Sequence, residues 1–133
     1  MQGNPAYKMG INSYQSIQKE TMSGRETEAR VLSKAALKLK ECQENWDSGT
    51  RRTELEEAFE YNHQIWSIFQ AELTKPDHPM DRELRQSILN LSVFIEGRIY
   101  DTRAYPEPEK LTAIININNG LAAGLRTSAA TVQ

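Results

Sequence analysis

Glu60-Tyr61-Asn62-His63 carries the Glu-x-x-His spacing with which helical bundles hold pairs of metal ions, because residues three apart lie on one helix face. Such a centre needs a second copy and further carboxylates on facing helices. The other histidine, His78, stands between Pro76 and Pro79 without that motif, so we read His63 as a structural or surface residue. Glu54, Glu56, Glu57 and Glu60 form an acidic run. Near a helix N-terminus such a run is favoured by the backbone dipole and stays solvated. Cys42 is placed toward an apolar helical face and reads as a small buried hydrophobe rather than a reactive thiol. Gly120 and Gly124 lack the strand and Lys of a phosphate loop. Arg30, Lys34 and Lys38 make a basic line at i, i+4 spacing. A solvated face is the plain reading, and RNA contact the sharper one. No nucleophile–base arrangement, metal centre or cofactor motif emerges.

The elements that must position these residues are helical. The chain has 133 residues, 26% charged and 38% hydrophobic, with a net charge of -2. That argues for one domain with a core of its own and against general nucleic-acid binding, which needs a basic excess. The lone cysteine allows no intrachain disulfide and fits a reducing compartment. We expect no secretory signal. No apolar run approaches the ~20 residues that span a bilayer, so membrane insertion is not expected.

Residues 6 to 20 give a thin stripe of Tyr7, Ile11, Tyr14 and Ile17, weakened by Gly10, which predicts a marginal helix needing tertiary support. Ser23-Gly24-Arg25-Glu26 fits a capping box ahead of Val31, Leu32, Ala35, Ala36, Leu39, Cys42 and Trp46, and Asp47-Ser48-Gly49 ends that helix. Thr53-Glu54-Leu55-Glu56 predicts the next start, with Leu55, Ala58, Phe59, Asn62, Ile65, Trp66, Phe69 and Leu73 on its inner face. Pro76 and Pro79 break the chain. From about Met80 to Arg103, one stripe runs through Leu84, Ile88, Leu91, Ile95 and Ile99, and a second through Leu89, Val93 and Tyr100 nearly opposite. A helix apolar on both sides is central in a bundle or docks a partner. Pro108 suits the first turn of a last helix whose apolar positions are 111, 114, 115, 121, 122 and 125, with Asn118 mid-stripe. Helices of this kind bury their stripes only against each other. The expected fold is an all-α bundle of four to five helices over residues 1–125, with 1–22 its weaker part and 126–133 a flexible tail.

The two amides on apolar faces, Asn62 and Asn118, must find partners or cost about 1–3 kcal/mol each. We read them as fixing the bundle's register, the alternative being that they line a groove and read a partner. Trp46 and Trp66 lie on apolar faces and read as core.

Several segments, in order, resemble the FlaF family of small bacterial flagellar-biosynthesis proteins. They are Asn4-Pro5-Ala6-Tyr7, Glu28-Ala29-Arg30-Val31-Leu32, Ala58-Phe59-Glu60-Tyr61-Asn62-His63-Gln64-Ile65-Trp66-Ser67-Ile68-Phe69, Leu84-Arg85-Gln86-Ser87-Ile88-Leu89-Asn90-Leu91, and Ile114-Ile115-Asn116-Ile117-Asn118 leading into Gly124-Leu125. Pro79-Met80-Asp81-Arg82-Glu83 and Asn119-Gly120 depart from the family's usual residues. The resemblance makes Asn62, Trp66, Leu84, Arg85, Ile117, Asn118, Gly124 and Leu125 family-motif residues with structural roles. It implies a cytoplasmic protein, not an enzyme and without a cofactor, that supports flagellin export as a chaperone and regulates flagellin synthesis alongside FlbT, with the export apparatus a further partner. Flagellin's terminal segments are amphipathic and unfolded before export, and a helix-in-groove contact could sequester one. The surplus apolar residues Leu89, Val93 and Tyr100 are the first candidates to make that contact, and Tyr7, Ile11 and Tyr14 the second. An adaptor or post-transcriptional regulator acting with FlbT or flagellin messenger is the alternative.

Overall fold

A computed structural model describes the backbone of residues 23–132 and the side chains of residues 24–127. Tyr7, Ile11 and Tyr14 lie outside the described residues. The described part is built of α1 (Ser23–Glu44), α2 (Arg51–Leu73), α3 (Arg82–Ala104), a 3-10 turn (Pro108–Leu111) and α4 (Thr112–Val132), with no strand among them. This is a small all-α bundle.

Ala29, Leu32, Ala36 and Leu39 recur at three- and four-residue spacing along α1 and are all buried. They face mainly α4, with which α1 makes the most extensive packing in the fold. The pair is antiparallel. Gln43 Nε2 donates to Thr112 Oγ1 at 2.9 Å near one end, and Arg126 Nη1 to Ser33 Oγ at 3.3 Å near the other. Small Ala35 and Ala36 sit on the buried face, where side chains without bulk let helices approach closely.

α2 begins two residues before the position read from Thr53, with Thr50 at its N-cap position but no side-chain bond from Thr50 to the helix backbone. Its hydroxyl donates to Glu54 Oε2 at 2.8 Å while its own N–H is held by Ser48 Oγ at 3.1 Å. α3 also starts later than Met80. Asp81 Oδ2 accepts from the N–H groups of Glu83 and Leu84 at 3.1 and 3.2 Å, a side-chain N-cap. Met80 stays outside it, its N–H donating to His78 Nδ1 at 3.1 Å. His78 is thus a turn-forming residue. Leu84 departs from its predicted stripe. It is 51% exposed, since it sits in the first turn of α3, before Ile88 brings that helix onto the core. α4 runs unbroken through Asn119-Gly120 to Val132, so residues 126–132, read as tail, continue the helix; no Pro follows Gly124 to stop it.

The core joins Leu32, Leu39, Phe59, Trp66, Ile95, Ile99, Leu111 and Ile114, all essentially inaccessible to solvent. Each such side chain contributes about 1.5–3 kcal/mol by leaving water. Trp66 and Phe69 meet edge to face, centroids 5.6 Å apart. On the surface, Arg103 grips the Glu56 carboxylate with two nitrogens, and His63 Nδ1 lies 2.8 Å from Glu96 Oε2. Both link α2 to α3, but exposed pairs of this kind add about 1 kcal/mol at most.

One carboxylate works against the fold at neutral pH. Burial pushes the Glu28 carboxyl above the usual range, Arg25 pulls it partly back, and Glu72 adds to the rise. Protonated Glu28 therefore suits the folded state better than ionised Glu28. The resulting stability is present below the unfolded carboxyl's range and is lost as pH rises through the folded value. Glu28→Gln should raise the urea midpoint at pH 7, with the gain shrinking toward pH 4. A variant whose advantage is equal at both pH values would contradict this.

Candidate functional site

The polar groups of the interior form a closed network. Asn62 on α2 donates through Nδ2 to Ala35 O of α1 at 3.2 Å and to Ala58 O at 2.9 Å. Asn118 on α4 donates to Asn62 Oδ1 at 2.6 Å and accepts from Trp66 Nε1 at 2.9 Å. Both amides are fully buried. Every donor and acceptor type they carry is engaged, which makes the cluster a lock between α1, α2 and α4 rather than a binding surface.

The residues that invited chemistry do not converge on a metal-binding arrangement among the described residues. Glu60 and His63 are exposed, and no group of three or more His, Cys, Asp or Glu among the described residues is arranged to hold a metal. Cys42 is buried at the edge of a charged recess of about 290 Å³ lined by Lys38, Glu41, Glu54 and Glu57. Burial first, and then the nearby Glu54 and Glu41 charges, push its thiol up, away from the thiolate that reacts. The basic line is engaged locally. Arg30 pairs with Glu26 at 3.3 Å, and the Lys34 and Lys38 ammonium groups sit 5.6 and 5.2 Å from the Tyr61 ring centre. The Tyr61 hydroxyl is itself raised by burial.

The family-motif residues mostly serve the frame. Arg85 Nη1 reaches Lys75 O at 3.2 Å and so ties the start of α3 to the loop after α2. Ile117 and Leu125 are half-buried against the core. Gly124 faces open space, with nothing within 4 Å of a side-chain position.

What the frame leaves open is a shallow groove of about 490 Å³ between α2 and α3, broadly open to solvent. Ser67, Gln70, Ala71 and Thr74 form its α2 wall; Leu89, Ser92 and Val93 form its α3 wall. Leu89 is half-buried with an edge on the core, while Val93 is 68% exposed. Tyr100, two turns further along the same flank, is 79% exposed. Val93 and Tyr100 therefore face outward, while Leu89 and Val93 line the groove. Phe94, on the other flank, is 42% exposed with the Arg98 guanidinium 5.2 Å from its ring centre. Sequence reasoning missed Phe94 and the whole α2 wall. Ser92 carried a usable signal: it falls between Ile88 and Ile95 on the buried stripe, as Asn118 does on its own. The α2 wall carried none, because Ser, Gln and Thr on a helix flank look like solvated surface.

The described residues thus form an all-α bundle with a sealed polar network inside and a solvent-open groove outside. The family model described as flagellar protein FlaF matches residues 10–125. The chain belongs to the FlaF family of flagellar proteins. No curated protein and no solved structure matches it. Among the described residues no helix is long and apolar enough to cross a membrane.

Proposed function

We propose that this protein is a non-catalytic flagellin-binding protein of the cytoplasm. It holds an amphipathic flagellin segment as a helix in the α2–α3 groove, supporting export and linking flagellin supply to its synthesis. The observation that carries this reading is half-buried Leu89 and exposed Val93 and Tyr100 on one flank of α3, the first two facing a wall of Ser67, Gln70, Ala71 and Thr74, in a chain of the FlaF family. An incoming helix would find apolar contacts on α3 and, at Ser67 and Ala71, room for close approach. Free and flagellin-bound protein would then differ in what they offer to FlbT, to the export apparatus or to flagellin messenger.

Calorimetry with full-length flagellin, and with forms lacking either terminal segment, tests this. Binding should be lost with one truncation and carry a negative heat-capacity change. Val93→Asp should weaken binding roughly tenfold or more, since it places a charge against the docked apolar face. Val93 is largely exposed, so the variant should keep its helical circular dichroism. No binding to any flagellin form would sink the proposal and shift the function to an adaptor or messenger regulator acting with FlbT.

A further inference from the structure

Gln70 stands on the α2 wall of the groove, and its hydrogen bonds fix which way its amide points. Ser92 Oγ lies 2.6 Å from Leu89 O. A carbonyl only accepts, so the hydroxyl proton is committed there. The Ser92 oxygen can then only accept from Gln70, 2.8 Å away, and the Gln70 group facing it must be the NH2. The side-chain oxygen of Gln70 is thereby turned away from Ser92, and among the described residues it accepts from nothing; the second N–H is likewise uncommitted. The groove thus carries one oriented acceptor and one donor on a single side chain, beside apolar Leu89 and Val93. Its lining contains no Asp, Glu, Lys or Arg.

We propose that Gln70 makes the groove selective for a helix carrying an Asn or Gln side chain among its apolar residues. This rests on the groove being the flagellin site. A carboxamide offers both a donor and an acceptor, matching what Gln70 leaves open. A hydroxyl matches it less fully. An ammonium or carboxylate would be desolvated against Leu89 and Val93 with no counter-charge in the lining, a costly burial. Ser92 acts as a positioning residue, holding the amide in the orientation that is read.

The probes are peptides of flagellin's terminal segments and copies in which each Asn or Gln is changed singly to Leu. Binding is measured by calorimetry to the full chain and to Gln70→Met. One substitution should weaken binding to the native chain about five- to tenfold, the range of one net hydrogen bond, and by less than about twofold to Gln70→Met. Ser92→Ala keeps Gln70 but releases its amide, and should also blunt the discrimination at that same peptide position; it serves if Gln70→Met does not fold. Equal losses in the native chain and both variants overturn the selectivity and leave the groove standing. Failure of every peptide and of flagellin itself to bind overturns both.

Discussion

Replacing Trp66 with alanine should lower the unfolding free energy by about 5 kcal/mol, the largest single-site loss in the bundle. Deleting a buried aromatic side chain costs about 3–5 kcal/mol through lost transfer energy and the cavity left behind. Trp66 is fully buried and meets both Phe69 of its own helix and Asn118 of α4, so collapse around the hole is limited. Its edge-to-face contact with Phe69 goes as well. Added to this is a polar loss: Trp66 Nε1 donates to Asn118 Oδ1 at 2.9 Å, and alanine leaves that oxygen buried and unpaired, at about 1 kcal/mol or more. Urea unfolding followed by circular dichroism measures the change. Trp66→Phe separates the two parts, since it keeps most of the volume and removes only the donor. A loss below about 2 kcal/mol for Trp66→Ala would mean that the core is far looser than its burial implies.

Asn118→Leu should cost about 3 kcal/mol despite adding apolar surface at a buried position. It orphans two groups at once, the Trp66 N–H and Asn62 Oδ1, each of which carries about 1–3 kcal/mol when desolvated without a partner. The same logic predicts strong non-additivity. Once Asn118 is gone, Asn62 has lost its acceptor's partner, and Asn62→Leu then removes an already unpaired oxygen. The double variant should lose less than the sum of the singles by about 1 kcal/mol or more, within the range seen for contacting residues. A double-mutant cycle by urea unfolding reads this directly. Additive losses would show that the two amides contribute independently and that the lock between α1, α2 and α4 is not a unit.

The helical faces were legible because burial here is one-sided. Leu55, Ala58, Phe59, Asn62, Ile65, Trp66 and Leu73 recur at helical spacing and all are buried. A polar residue inside such a stripe is informative for the same reason, and Asn62 and Asn118 stood out before any partner was known. Their partners did not: nothing in the spacing places the Trp66 indole against Asn118, because that contact depends on how α4 is set against α2. Helix ends were misjudged where a second candidate cap lay close by. Thr50 and Thr53 both offer a hydroxyl; Thr50 takes the N-cap position, yet its hydroxyl goes to the Ser48 and Glu54 side chains and not to the helix backbone. The groove was half legible. Leu89 and Val93 betrayed it as apolar residues on the wrong side of α3, whereas Gln70 acquires meaning only through Ser92, on another helix.

The closeness of α1 and α4 has a consequence for how the chain is made. The first described helix finds its main packing partner in the last described one, which the ribosome makes well after it. At ordinary elongation speeds the intervening residues take several seconds or more to emerge. During that interval Leu32, Ala36 and Leu39 have α2 beside them but not the surface that covers them in the finished bundle, and the Asn62 amide waits for Asn118. Folding of the described bundle is therefore completed only once α4 has emerged. A ribosome halted before Ile114 would carry a sticky, half-built chain, vulnerable to proteases and dependent on the cell's general chaperones. A protein proposed to shelter another's helix would itself begin life as a client.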